Sequence, residues 1–173
     1  MITPPEFTHP NLFPASFKLI ADIKSPFDPD RDCLFYKYEN ILVTFVGGNW
    51  QDPDTNEVEY LSYQACFPLA VLPWVIRMLD YFDTPPNEGG LPAGKISNKE
   101  EIDGELLLFT RGVCVGGPDH GGYNLENLSR INYGRKPTSN SYQGFDFPDP
   151  WLYDGGLLEF WKALANKYEN GLL

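Results

Sequence analysis

The sequence is poor in histidine and cysteine, the residues on which most metal sites and many nucleophilic sites depend. Its 173 residues include two histidines, His9 and His120, and three cysteines. Neither histidine has another His or Cys at zinc-ligand spacing, and there is no Cys-x-x-Cys pair. We therefore expect no metal and no cofactor. So few cysteines, in odd number, also argue against a disulfide scaffold and favour a reducing compartment.

Long hydrophobic runs and export signals are missing as well. The longest apolar stretch, residues 67–79, is interrupted by Pro68, Pro73 and Arg77, and it falls short of the roughly 20 residues that cross a bilayer. The first residues, Met1 to Glu6, do not follow the pattern of a secretory signal. These absences predict a cytoplasmic protein that has no membrane partner.

Phosphate-binding and nucleic-acid-binding signals are equally weak. The glycines do not form G-x-G-x-x-G, and no Gly-Lys-Ser or Gly-Lys-Thr occurs. The one small basic cluster, Arg130, Arg135 and Lys136, is outnumbered by the carboxylates of the chain. Because binding to nucleic acid needs a basic footprint, we expect no nucleic-acid partner.

Acidic residues are abundant instead. The chain has 24 Asp and Glu against 13 Lys and Arg, which gives a net charge of −11 at pH 7. Net charge of this size bears on partners rather than on fold, since an anionic surface repels phosphates and attracts cationic surfaces. The sequence therefore predicts a basic protein partner and leaves the oligomeric state open.

The hydrophobic pattern predicts one α+β domain over residues 1–173, with an extended Pro-rich arm at residues 1–16. Apolar alternation indicates a meander of four strands. Helical spacing follows at Leu72–Phe82 and again at Leu157–Tyr168, where Asp154 is the expected N-cap. We expect an antiparallel sheet of about five or six strands packed against these two main helices. The four strands of the meander are predicted at Phe17–Ile23, Cys33–Tyr38, Ile41–Val46 and Val58–Phe67.

The second half of the chain is harder to interpret. We expect a long loop over residues 84–103, a buried strand over Glu105–Val115 and a short helix over Asn124–Ile131. Residues 133–150 show little periodicity and are expected to be irregular.

One pair of residues suggests nucleophilic chemistry. Cys114 and His120 flank a glycine-rich turn whose amides could stabilise an oxyanion. Proximity in sequence does not show that the two side chains face each other, and an apolar segment around Cys114 also suits a core cysteine. A cysteine-dependent hydrolase using Cys114 and His120 is therefore the alternative to a non-catalytic protein.

Aromatic and acidic residues are interleaved between positions 137 and 161, where no Lys or Arg occurs. Aromatic side chains supply anchor area at protein interfaces, and carboxylates steer a cationic partner. The same aromatics could equally hold a loop against the core. The predicted partner-binding residues here are Tyr142, Phe145, Asp146, Asp149, Trp151, Tyr153 and Asp154, joined by Glu88, Glu100 and Glu101 from the acidic loop.

In its excess of Asp and Glu, and in the acidic–aromatic stretch Phe145–Trp151, the chain resembles the small acidic immunity proteins of bacterial toxin–immunity systems. The resemblance implies a non-catalytic protein that neutralises a basic cognate toxin, such as a nuclease, by covering its active site. It carries no residue-level motif. A structural or regulatory interaction module is the remaining alternative.

Overall fold

The computed structural model describes residues 2–117, 119–132 and 142–173. Within them the chain forms four strands and a helix, and then repeats that order. The first set is β1 (Lys18–Ser25), β2 (Asp28–Tyr38), β3 (Ile41–Gln51), β4 (Val58–Pro68) and α1 (Val71–Asp83). The second set is β5 (Ser97–Ile102), β6 (Glu105–Gly112), β7 (Gly122–Ile131), β8 (Tyr142–Pro148) and α2 (Leu157–Glu169).

The strands form two antiparallel meanders of four strands each, β1-β2-β3-β4 (sheet A) and β5-β6-β7-β8 (sheet B). The α+β class, the N-terminal meander and the two main helices are confirmed. The expected single sheet of five or six strands is wrong, because the second half of the chain builds a sheet of its own. No internal repeat is visible in the sequence, although the element order repeats.

The differences lie in the second half. Ser97–Ile102, expected within a loop, is strand β5, and the segment expected as a short helix is β7. Polar side chains that point inward from β7, Asn127 and Arg130, hide the alternation that would have revealed a strand. Of the segment expected to be irregular, residues 142–148 form β8 and residues 133–141 lie outside the described residues.

Two smaller expectations are also corrected. The N-cap of α2 is Gly156 and not Asp154. Gly156 has φ 83°, a left-handed conformation that glycine adopts at little cost. Cys33 and Cys66 are buried as expected of core cysteines, whereas Cys114 is exposed.

The helices tie the two sheets together. Although α1 follows sheet A, its aromatic contacts are with sheet B, where Trp74 and Phe82 meet the ring of Phe109 edge-on. In α2, Trp161 contacts Phe35 of sheet A and Phe147 of sheet B. Edge-to-face packing of this kind adds to the hydrophobic gain from burial. One hydrophobic cluster therefore contains residues from both sheets and both helices.

The other face of sheet A is covered by the N-terminal arm. Phe7 is 5% exposed, stacks on Phe45 with ring centroids 4.8 Å apart, and meets Tyr36 edge-on. The backbone amide of Phe7 donates to the Gln64 side chain at 3.2 Å. Sheet A is thus buried on both faces along much of its length, which leaves the far ends of its strands to meet solvent.

Where the sheets meet, side chains bridge their free edges. The backbone of Cys66 in β4 receives a hydrogen bond from Asn127 at its carbonyl, 2.9 Å, and its amide donates to Gln143 at 2.8 Å. Asn127 also donates to Glu105 at 2.6 Å, and Arg130 forms a bidentate ion pair with Glu105. All five residues are at most 5% exposed. We call this group the edge junction.

We expect Glu105→Gln to lower the free energy of unfolding by about 3–5 kcal/mol, because it removes the negative charge from a buried, bidentate ion pair. Urea denaturation measures the change. Glu100→Gln is the matched control, since the Glu100 side chain is 40% exposed in its pair with Arg77 and such pairs contribute about 1 kcal/mol or less. Equal losses in the two variants would contradict the importance of the edge junction.

Candidate partner-binding groove

A cavity of about 610 Å³ opens between the far end of sheet A and the outer face of β7 and β8. Cys33, Val46 and Tyr63 line it from sheet A, and Glu126 and Asp146 line it from sheet B. We call this cavity the inter-sheet groove. Its remaining lining residues are Ser25, Phe27, Asp28, Arg31, Gly116, His120, Asn132, Tyr142, Gly144, Phe145, Pro148, Pro150 and Trp151.

The groove continues onto an exposed apolar strip of sheet A. The register places Trp50 opposite Glu59 and Val46 opposite Tyr63. Opposite residues of an antiparallel pair, and residues an even number apart on one strand, lie on the same face. All four side chains therefore lie on the face of sheet A that packs into the core at the other end of these strands. Trp50 is 46% exposed and Leu61, on the same face, is 48% exposed. A second, smaller cavity there shares Asp28 and Arg31 with the groove. Large apolar side chains thus lie beside carboxylates at one end of the molecule.

Tyr63 connects the two walls of the groove. Its hydroxyl accepts a hydrogen bond from the Gly144 amide at 2.8 Å and donates to the Tyr142 carbonyl at 3.3 Å. Burial of the hydroxyl against β8 raises the pKa of Tyr63 to about 12. The free edge of β8 is therefore satisfied by a side chain of sheet A, which sets the spacing between the walls.

Two carboxylates of sheet B, those of Glu126 and Asp146, line the groove. Within the described part of the chain, Glu126 has neither a hydrogen-bond donor nor an ion-pair partner, while Asp146 accepts a hydrogen bond from Asn124 at 2.7 Å. Burial, followed by the charge of Asp146, raises the pKa of Glu126 above its ordinary value. Arg31 lies across the groove, where Asp28 is 3.9 Å from its guanidinium. Among its described residues, sheet B therefore contributes two carboxylates and no cation to the lining of the groove.

The residue of β8 that lies opposite Glu126 is Gly144, which has no side chain to fill the groove. A Cβ atom at Gly144 would lie 2.7 Å from the Leu125 carbonyl oxygen and 3.6 Å from Cγ of Glu126. A side chain at this position would force the backbone to shift and would cover the Glu126 carboxylate. The absence of a side chain at Gly144 leaves that carboxylate accessible from the groove.

The structure brings together four of the predicted partner-binding residues. Tyr142, Phe145, Asp146 and Trp151 all line the groove. Phe145 is 5% exposed and packs on Phe35 and Trp161, so most of its ring belongs to the core. The acidic–aromatic stretch thus divides between core and groove.

The other predicted residues lie elsewhere. Asp149 forms a bidentate ion pair with Arg111, with both nitrogen–oxygen distances 2.5 Å. Tyr153, 48% exposed, and Asp154 belong to the π-helical turn Pro150–Asp154. Glu100 accepts hydrogen bonds from Trp74 and Arg77 of α1. Its neighbour Glu101 is exposed on β5, and Glu88 is exposed in the short helix Pro86–Glu88.

The two residues of the hydrolase alternative occupy different settings. His120 lines the groove, whereas Cys114 is exposed and is not part of the described lining. The cysteine that does line the groove is Cys33, which is 3% exposed. Its burial raises the pKa of the Cys33 thiol to about 12, so it stays a weak nucleophile at neutral pH.

Sequence reasoning missed Trp50, Leu61, Tyr63 and Glu126. Alternation along Val58–Phe67 predicted a strand there, but nothing in the pattern showed which of its residues sheet B leaves uncovered. Glu126 was hidden by the helical interpretation of its segment. A strand assignment there would have put Glu126 on the face opposite the buried Leu125.

In the described ranges no three His, Cys, Asp or Glu side chains are grouped so as to hold a metal ion. No helix among those residues has the length and apolar character needed to cross a membrane. Comparisons with protein families, with curated proteins and with solved structures find no match for the chain.

We expect Glu126→Gln to stabilise the folded protein at pH 7. A carboxyl whose pKa is raised by folding destabilises the folded state at pH values above its unfolded pKa and has no effect well below it. The gain should therefore disappear as the pH falls to about 4, near the ordinary pKa of glutamate. Urea denaturation across this range tests the expectation, with exposed Glu169→Gln as the control. A loss of stability at pH 7 would contradict it.

We expect Tyr63→Phe to raise the hydrogen-exchange rate of the Gly144 amide by about tenfold, because that donor loses its acceptor. Amide exchange followed by NMR measures the rate. Tyr168→Phe is the control, since the Tyr168 hydroxyl makes no hydrogen bond within the residues described. An unchanged exchange rate at Gly144 would show that the Tyr63 hydroxyl does not protect this amide of β8 from exchange.

Proposed function

We propose that this chain is a non-catalytic acidic binding protein that neutralises a basic partner protein by covering its functional surface, as immunity proteins do with their toxins. The supporting observation is the inter-sheet groove with its apolar strip. There the exposed Trp50 and Leu61 lie beside the carboxylates of Asp28, Asp30 and Glu59, at one end of a molecule with net charge −11.

This composition suits a specific interface. Exposed aromatic and aliphatic residues provide the desolvated centre in which binding energy concentrates, and charges around them govern encounter rate and orientation. Strands β3 and β4 hold Trp50 and Leu61 on a regular ladder, so little conformational entropy is lost when a partner docks. A toxin that acts on nucleic acid has a cationic cleft, to which an anionic protein of this kind is electrostatically complementary.

We expect the double variant Trp50→Ala/Leu61→Ala to bind the partner at least about tenfold more weakly than the wild type, because it removes the apolar anchors. The partner is isolated by affinity capture from the native host on wild-type protein and then purified. Titration calorimetry gives Kd for both proteins at low and moderate salt. Wild-type affinity should fall as salt rises, because charge steering is screened.

The matched control is Leu12→Ala/Leu172→Ala, which removes two residues that are 66% and 69% exposed and lie outside the groove lining. This control should bind as the wild type does. A partner that is acidic, an affinity insensitive to salt, or equal losses in both double variants would overturn the proposal.

A further inference from the structure

Strand β5 is the edge strand of sheet B on the side away from the inter-sheet groove. It pairs with β6 in one unbroken register, from Ser97 opposite Thr110 to Ile102 opposite Glu105. The outer strand of sheet A, β1, is instead interrupted by two register shifts. Such irregularities hinder the addition of another strand, so of these two edges β5 is the one that can accept a neighbour along its whole length.

The tight turn after β5 determines which backbone groups of this strand bond β6. Its two residues, Asp103 and Gly104, both have positive φ, which is the conformation of a two-residue hairpin turn. Ile102 and Glu105, which flank the turn, therefore exchange both of their backbone hydrogen bonds. Because bonded pairs alternate with non-bonded pairs along an antiparallel ladder, the even-numbered residues of β5 bond β6.

The odd-numbered residues of β5 direct their backbone N–H and C=O groups away from β6. Just before the strand, the Arg111 amide donates to the Ile96 carbonyl at 2.7 Å, which continues the same alternation. The outward-directed residues are Ser97, Lys99 and Glu101, and all three are exposed. No hydrogen bond from the described ranges reaches their backbone groups. This edge therefore offers free donors and acceptors to a further strand.

The side chains along this edge carry opposite charges two residues apart. Lys99 and Glu101 share the outer face of sheet B, whereas Glu100 lies on the other face and accepts hydrogen bonds from Trp74 and Arg77 of α1. Charged residues on an edge strand commonly prevent pairing, because an approaching strand leaves their charges unmatched. A strand with Glu opposite Lys99 and Lys opposite Glu101 matches both charges.

A second copy of β5 meets this requirement. When two copies pair antiparallel about a two-fold axis at Glu100, Lys99 of one copy lies opposite Glu101 of the other, and symmetry repeats the pair. An axis at Lys99 or at Glu101 would place like charges opposite each other. Glu100 then faces its own copy, but each Glu100 carboxylate already has the Arg77 guanidinium 2.7 Å away as its counter-charge.

We propose that this chain forms a dimer through β5, in which the two copies of sheet B, with four strands each, join into one antiparallel sheet. Across the axis the backbones of Lys99 and Glu101 exchange hydrogen bonds, and their side chains form two symmetric ion pairs. The net charge of −11 on each copy opposes their approach, so the association is weak and reversible. The groove lies at the opposite edge of sheet B, and the proposal is independent of the proposed function.

Sedimentation equilibrium of the full chain, at concentrations up to about 1 mM, measures the association. We expect the wild type to show a monomer–dimer equilibrium. Lys99→Glu and Glu101→Lys should each raise the dissociation constant at least about tenfold, because like charges then lie opposite each other in both symmetric pairs. The double variant Lys99→Glu/Glu101→Lys restores opposite charges in both pairs and should return to within about threefold of the wild type.

The matched control is Lys167→Glu on α2, an exposed position where the net charge changes by the same amount as in Lys99→Glu. It should leave the dissociation constant within about threefold of the wild type. Because the double variant carries both substitutions, its recovery would show that the single variants lose the dimer through charge and not through unfolding.

Amide hydrogen exchange followed by NMR locates the contact. As the protein concentration rises, the Lys99 and Glu101 amides should exchange more slowly, whereas the Glu100 amide, which bonds β6, should not change. A wild type that stays monomeric, a double variant as weak as the single variants, or protection confined to residues outside β5 would each overturn the proposal. None of these outcomes bears on the partner-binding test of Trp50→Ala/Leu61→Ala.

Discussion

The meeting of two free sheet edges determines the rest of this structure. A β-strand at a sheet edge exposes backbone donors and acceptors, which must be satisfied wherever that edge is buried. Here β4 and β8 do not continue each other as a single sheet. Side chains of sheet B bond the backbone of Cys66, and the Tyr63 hydroxyl bonds the backbone of β8. Side chains therefore join the two sheets along these strands, and the groove lies beside that contact, with Tyr63 belonging to both.

Two glutamates of sheet B have opposite effects on stability. Glu105 is buried and matched by Arg130, so its charge holds the fold together. Glu126, on the same sheet, faces the groove without a matching donor in the described part of the chain and raises the energy of the unbound protein. A carboxylate kept under such conditions is typical of a binding site, where function is favoured over maximal stability. The two glutamates thus differ in burial and in partners: Glu105 is part of the buried core, and Glu126 lines the groove.

Local patterns predicted the first half of the chain well. The alternation in β1 to β4 and the amphipathic spacing of α1 both depend on residues that are neighbours in sequence, so they can be read from a single chain. The second half was misread where inward-facing positions are polar. Asn127 is buried because its side chain donates a hydrogen bond to the Cys66 carbonyl in the other sheet. The residues next to Asn127 in the sequence give no indication of that contact. The groove combines residues from both halves, so only part of it, around Phe145 to Trp151, could be predicted from one stretch of sequence.

The crossing of the helices has a consequence for synthesis. α1 leaves sheet A to pack its aromatic residues on sheet B, and sheet A receives Trp161 from α2 in return. While the chain emerges from the ribosome, sheet A is complete at residue 68, yet the ring of Phe35 lacks its contacts with Phe145, Phe160 and Trp161 until those residues have been made. Sheet A therefore gains these aromatic contacts only after residues 145–161 have been made, and until then that part of its core face has no partner from sheet B or α2.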